Sequence, residues 1–125
     1  MPLMTPENLI RTYFDCWVQR QFPPLTTFFT TDCDYRECYG ARYHGLPELQ
    51  AWIEHQLQTQ VVTSWTIERF LPVSTTCYVV TWNFQAQTDV LTNFDGNSVI
   101  DFHDGRICQL TEYETKHQTF RPFAN

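Results

Sequence analysis

Only four glycines occur in the 125 residues, Gly40, Gly45, Gly96 and Gly105, and they form no glycine-rich turn. Nucleotide binding through a phosphate-cradling loop is thereby excluded. Basic residues are scarce as well: eight Lys and Arg stand against fourteen Asp and Glu, a formal net charge of −6. Without a basic run or a basic helix face, nucleic acid and anionic membrane are not expected partners. No apolar stretch is long enough to span a bilayer. Residues 1–8 carry neither the basic nor the apolar region of a secretory signal, so a cytoplasmic location is expected. The five cysteines (Cys16, Cys33, Cys38, Cys77 and Cys108) are odd in number and never spaced C-x-x-C. A disulfide framework or zinc site is not expected, and buried small hydrophobes are. No pair of histidines and a carboxylate shows ligand spacing, and no serine sits in a nucleophile elbow. Neither a metal nor a cofactor is implied.

What is abundant is aromatic: Phe, Trp and Tyr make up 16% of the chain within a 42% hydrophobic total. A single domain spanning residues 1–125 is expected, large enough to bury a core. Aromatic excess favours a lined cavity or an apolar interface, with bulky packing as the plain alternative. Thr5-Pro6-Glu7 reads as a helix start: a capping hydroxyl, proline in the first turn, then an acid. Leu9, Ile10, Tyr13, Phe14, Trp17 and Val18 follow at helical spacing, up to about Gln21. Pro23-Pro24 then open a short second helix with Leu25, Phe28 and Phe29 on one face. Residues 34–39 read as a strand, with Tyr35, Glu37 and Tyr39 on one side. Leu46-Pro47-Glu48 begins a third helix with a stripe of Leu49, Trp52, Ile53 and Leu57. From Val61 the period changes to two, giving strands over residues 61–73, 75–87, 93–103 and 106 to about 117. Asp104-Gly105 marks a hairpin. The tail from Gln118 is irregular. Three helices followed by antiparallel strands predict an α+β layer whose long strands twist into a cone. A hollow of that kind is a default small-molecule site.

Several segments, in their order and spacing, carry a resemblance. These are Ile10-Arg11-Thr12-Tyr13-Phe14, the run from Phe28 to Tyr35, Gly45-Leu46-Pro47-Glu48-Leu49, and the hairpin Asp101 to Ile107 followed by Leu110-Thr111-Glu112-Tyr113. Over essentially its whole length the chain resembles the SnoaL-like branch of the nuclear transport factor 2-like superfamily. The resemblance implies a cone-shaped, cystatin-like α+β fold, commonly a homodimer through the outer sheet face. It implies no single function, since the superfamily holds ketosteroid isomerases, polyketide cyclases, dehydratases and non-catalytic binding domains.

Alignment with the ketosteroid isomerase pattern places the oxyanion-donating tyrosine on Tyr13 and the base on Glu37, at the family's own separation. The family's protonated aspartate falls near Ser98, a much weaker donor. A carboxylate on an aromatic wall has raised proton affinity and can act as a base near neutral pH. Glu37 therefore reads as a base, as an acid paired with Arg36 or Arg42, or as an acid projecting from a strand end into water. Tyr13 likewise is either an oxyanion donor or a packing tyrosine. Tyr39, Trp52, Trp65 and Trp82 are candidate walls of the pocket, although parity leaves the sheet face of Trp65 and Trp82 open. Glu112 and Glu114 share a strand face. They form an acid/base pair at the pocket floor, or they lie at an exposed edge or join an interface ion pair. Asp101 and His103 read as a solvated hairpin end. The expected function is binding of a small hydrophobic or polyketide-like molecule, with cofactor-free proton transfer as the chemistry. The alternative is a non-catalytic dimeric binding domain.

Overall fold

Thr5 sets the first helix as its sequence predicts. Its hydroxyl accepts the Asn8 backbone N–H at 3.2 Å, Pro6 follows, and Glu7 lies in the first turn. Helix α1 spans Pro6–Gln19 and ends at Arg20, which adopts a left-handed conformation. The Arg20 guanidinium reaches across to the C-terminal carbonyls of the next helix, at Leu57 and Gln60. A cation there complements both the open carbonyls and the helix dipole. This is a computed structural model, and it describes residues 4–124. Met1–Leu3 of the N-terminal segment and Asn125 of the tail lie outside the described residues.

The expected second helix is a single 3-10 turn, Leu25–Thr27, so the fold has two α-helices rather than three. Pro23-Pro24 supply no backbone donors, and the chain joins the sheet almost at once. Phe28 O accepts from Ile107 N at 2.8 Å, and Phe29 opens β1, Phe29–Arg36. The strand therefore lies upstream of its expected position at residues 34–39. Glu37 N donates to Ala41 O and Gly40 N to Glu37 O, so Glu37 begins the tight turn into β2, Arg42–His44. Tyr35, Glu37 and Tyr39 consequently do not share a strand face: Tyr35 is fully buried, Glu37 is half-buried and Tyr39 is exposed.

Helix α2, Gly45–Thr59, buries Leu49 and Ile53. Four long strands follow: β3 (Val61–Pro72), β4 (Cys77–Gln87), β5 (Leu91–His103) and β6 (Arg106–Glu114). Asp104 and Gly105, both at positive φ, turn β5 into β6, as an Asp-Gly hairpin requires. The sheet order is β2-β1-β6-β5-β4-β3, with β1 parallel to β6 and every other pair antiparallel. Register shifts in β3, between Val62 and Ser64 and between Ile67 and Arg69, bend the edge strand. Helix α1 packs on β3 and α2 on β1. No helix among the described residues is long and apolar enough to cross a membrane.

The core is aromatic. Tyr13 sits at its centre, with ring centroids of Phe28 at 5.8 Å, Phe29 at 5.2 Å, Tyr35 at 6.2 Å and Trp65 at 6.2 Å. Trp65 stacks on Phe14 at 3.7 Å and meets Trp82 at 5.6 Å, so both tryptophans face inward. Gly96, paired with Trp82 across β4 and β5, is what lets that indole lie against β5. A Cβ there would stand 2.5 Å from the Trp82 ring and would also strike the Tyr113 carbonyl. Gly96→Ala is expected to cost about 1–3 kcal/mol, because an overpacked site must move both neighbours. Urea denaturation measures it, and an unchanged midpoint would mean that the Trp82 ring relocates freely.

Candidate functional site

Most of the hollow between helices and sheet is filled by Tyr13, Phe14, Phe28, Phe29 and Tyr35, all essentially inaccessible. What stays open is a cleft of about 50 Å³ where α2, the β1–β2 turn and the inner sheet face meet. That is room for about three or four water molecules, enough for a compact group and too little for a fused-ring skeleton.

The walls are aromatic. Trp17 comes from α1, Trp52 from α2, Trp65 from β3, Trp82 and Phe84 from β4, and Phe94 from β5. They brace one another: Trp17 lies 5.3 Å from Trp52, and Phe84 5.4 Å from Phe94. Tyr39 is 66% exposed and sits at the rim, edge-on to Phe94. Two carboxyl side chains, Glu37 and Glu112, also line the cleft.

Glu37 is held by a tyrosine. The Tyr43 hydroxyl donates to Glu37 Oε1 at 2.6 Å, and the Tyr43 ring stacks on Trp52 at 4.8 Å. The basic residues considered as ion-pair partners are not used this way. Arg42 pairs with Asp34 at 3.1 Å, beside His44 at 3.0 Å. The hydrogen bonds from His44 and Arg42 hold the Asp34 carboxyl below its ordinary range. Burial raises the proton affinity of Glu37, and the Tyr43 hydrogen bond opposes that rise.

Glu112 ends a chain of hydroxyls running out of the core. Tyr13 donates to the Tyr35 hydroxyl at 2.9 Å, and Tyr35 donates to Glu112 Oε2 at 2.5 Å. Burial of the carboxyl pushes the Glu112 pKa up to about 8. The Tyr35 hydrogen bond opposes the shift and the charge of Glu37 adds to it. Two carboxyls thus share one cleft with unequal burial. Burial raises the proton affinity of both, and the rise is large for Glu112.

Of the candidate residues, Glu37, Tyr39, Trp52, Trp65, Trp82 and Glu112 lie on the cleft; Tyr13 and Ser98 do not. Tyr13 is fully buried behind Tyr35, with its hydroxyl engaged there. Ser98 is fully buried and accepts the Trp82 indole N–H at 2.9 Å. It is, however, the register partner of Glu112 across β5 and β6, so a carboxyl stands directly beside the position where the alignment offers only serine. Glu112 and Glu114 separate as well: Glu114 is exposed, while the Glu112 carboxyl is enclosed. His103 meets only Asp104, in the open. Burial raises the Cys38 pKa to about 12, which leaves a neutral thiol beside Glu37. Among the described residues no cluster of His, Cys, Asp and Glu could hold a metal ion.

Sequence reading passed over Tyr35, Tyr43, Trp17, Phe84 and Phe94. Trp17 was legible as an inward position by helical periodicity, whereas strand parity grouped Phe84 with Trp82 without fixing the inner face. A buried tyrosine also demands a partner for its hydroxyl, and for Tyr35 the structure supplies Glu112.

Among curated proteins, none matches this sequence. Solved structures match its fold. A nuclear transport factor 2-like protein of unknown function from Burkholderia pseudomallei K96243 superposes with a TM-score of 0.74 at 14% identity, covering 90% of this chain and 92% of that one. A Catenulispora acidiphila DSM 44928 protein with a ketosteroid isomerase-like fold, crystallised with trimethylamine, gives 0.73 at 16% identity, covering 88% and 86%. A Shewanella putrefaciens CN-32 protein, provisionally described as a SnoaL-like polyketide cyclase, gives 0.74 at 14% identity, covering 91% and 90%. Those likenesses speak for the fold. The model of the SnoaL-like domain matches residues 10–110, most of the chain and every element from α1 to the middle of β6, and the chain belongs to that family.

Proposed function

We propose that the cleft binds a small organic molecule and moves a proton on it without a cofactor. Glu37 is the base and neutral Glu112 the hydrogen-bond donor. The observation that carries this reading is the pair of carboxyls on one aromatic cleft, Glu37 held by the Tyr43 hydroxyl and Glu112 by the Tyr35 hydroxyl. In the proposed step, the Glu37 carboxylate takes a proton from a carbon beside a carbonyl. The Glu112 O–H then hydrogen-bonds the oxygen on which negative charge develops. Glu37 returns its proton to a conjugated carbon, which gives an isomer, or to the same carbon, which gives only hydrogen exchange. A preorganised donor in a dry site stabilises such an oxyanion far better than water does. Tyr35 is a positioning residue: its hydroxyl occupies Oε2, leaving Oε1 to carry the carboxyl proton. Tyr13 acts one step further back, by fixing Tyr35. The cleft takes a compact portion of the ligand, in keeping with the trimethylamine complex of the Catenulispora neighbour.

The test is proton exchange into deuterium oxide from a panel of small enones and β-dicarbonyls, followed by NMR. Glu37→Gln should lower exchange by about 100-fold or more while leaving ligand-induced tryptophan fluorescence changes intact. Exchange that is unaltered in Glu37→Gln would leave a non-catalytic binding domain as the reading. The pH–rate profile should be bell-shaped, with an alkaline limb near 8 from Glu112. Tyr35→Phe should move that limb upward, because the lost hydrogen bond favours the ionised form.

The same burial sets a pH dependence of stability. The folded pKa of Glu112 lies above its ordinary value of 4.5, so the native state binds the proton more tightly than the unfolded chain. Its contribution is complete below about pH 4.5 and is lost as pH rises toward 8, with a slope of at most about 1.4 kcal/mol per pH unit. Burial of Glu37 acts with the same sign. Denaturation of Glu112→Gln should therefore show a flatter stability profile than wild type across this window. Identical profiles would place the carboxyl in contact with water.

Pairing of two copies through the outer sheet face accompanies this proposal. The middle of that face carries Val79, Thr81, Val99 and Thr111, with Tyr113 half exposed beside them. Light scattering should give twice the chain mass, and a monomer at micromolar concentration would remove the interface.

A further inference from the structure

The charge of the ligand follows from what the cleft wall does and does not present. Its lining has two carboxyl side chains and no Lys, Arg or His. Apart from the neutral amides of Gln56 and Gln60, the rest is aromatic or apolar, together with the Cys38 thiol.

The four tryptophans narrow this further. An indole offers one hydrogen-bond donor and a ring whose π-face is electron-rich. The Trp82 N–H is spent on Ser98 Oγ at 2.9 Å, and the Nε1 atoms of Trp17, Trp52 and Trp65 are buried. The side chains of all four line the cleft. An anion entering this cleft would meet π-electrons and a carboxylate. A cation would meet π-electrons and a counter-charge.

We infer that the ligand enters the cleft with a compact organic cation, a tertiary or quaternary ammonium group, held between the tryptophan rings and balanced by the Glu37 carboxylate. The inference rests on the cleft being the ligand site, and it adds the charge class to that reading. The narrow space suits a methylated ammonium head, which is nearly spherical and sheds its water cheaply. A primary ammonium would ask for hydrogen bonds that only the carboxyls and the two glutamines could accept. Net charge supports the same sign: at −6 the whole molecule attracts cations.

Choline and its neutral isostere 3,3-dimethylbutan-1-ol are the probes, since they share shape and differ in charge. Isothermal titration and tryptophan fluorescence read binding of each. Choline should bind about tenfold or more tightly than the isostere. Glu37→Gln should weaken choline about tenfold and leave the isostere unchanged, and Trp52→Leu should weaken choline more than the isostere. Far-UV circular dichroism of each variant checks that it folds. Equal binding of the two probes, no binding of choline, or choline binding indifferent to Glu37→Gln would each overturn the assignment. Proton exchange on neutral carbonyl probes is scored separately. If exchange depends on Glu37 while choline fails, the charge class falls and the proton-transfer reading stands. If choline binds through Glu37 without any exchange, the charge class stands and the chemistry falls.

Discussion

The hydrogen bond from Tyr35 to Glu112 is the constraint around which the rest is arranged. A carboxyl enclosed by tryptophan and phenylalanine rings is costly to hold without a partner. Its partner must itself be rigid, and Tyr35 is rigid because its hydroxyl is engaged from behind by Tyr13, at 2.9 Å. The line therefore runs from the helix that fills the cone, through the first strand, to the last strand. Tyr13 fills space and fixes Tyr35, Tyr35 holds one oxygen of Glu112, and Glu112 faces the cleft. In the proposed proton transfer, packing and chemistry share one set of contacts.

Glu37 is supported by different means. It stands in a turn, and Tyr43 reaches it from the short strand that follows, while that tyrosine leans on Trp52 of α2. The two carboxyls are thus carried by separate scaffolds, one deep and one shallow. That separation is why their proton affinities differ. Had both been fixed at the same depth, they would titrate as a pair and neither would hold a settled role.

Much of this arrangement was legible in the chain. Thr5-Pro6-Glu7 announced α1 and Asp104-Gly105 the last hairpin, while alternation set Trp82 and Phe84 on one face without saying whether it was the inner one. Glu37 stood out because an acid among aromatics is unusual. Other parts were hidden for physical reasons. Phe28 and Phe29 suit a helix face and a strand equally, and only pairing with Ile107, far along the chain, decides between them. The role of Tyr13 was hidden because helical periodicity shows that it points inward but not that Tyr35 meets its hydroxyl. The weight of Glu112 was hidden because it depends on register: β6 must slide until residue 112 lies beside Ser98. Strand parity alone also put Glu114 on the same face, and the end of the strand releases it into solvent.

The parallel pairing of β1 with β6 has a further consequence, one of timing. Every other strand pairs with a neighbour in sequence, whereas Tyr35 must wait for Leu110, its register partner. A contact across so much chain is entropically expensive to close and comes late in folding. During synthesis from the N-terminus, the helices, β1 and the hairpin strands can all exist before β6 leaves the ribosome. The deep carboxyl arrives with that final strand, so the cleft is completed in the same act that closes the sheet. A chain truncated before residue 106 would retain Glu37 and all four tryptophans, but it would lack β6, and with it Glu112 and the strand that joins the two ends of the sheet.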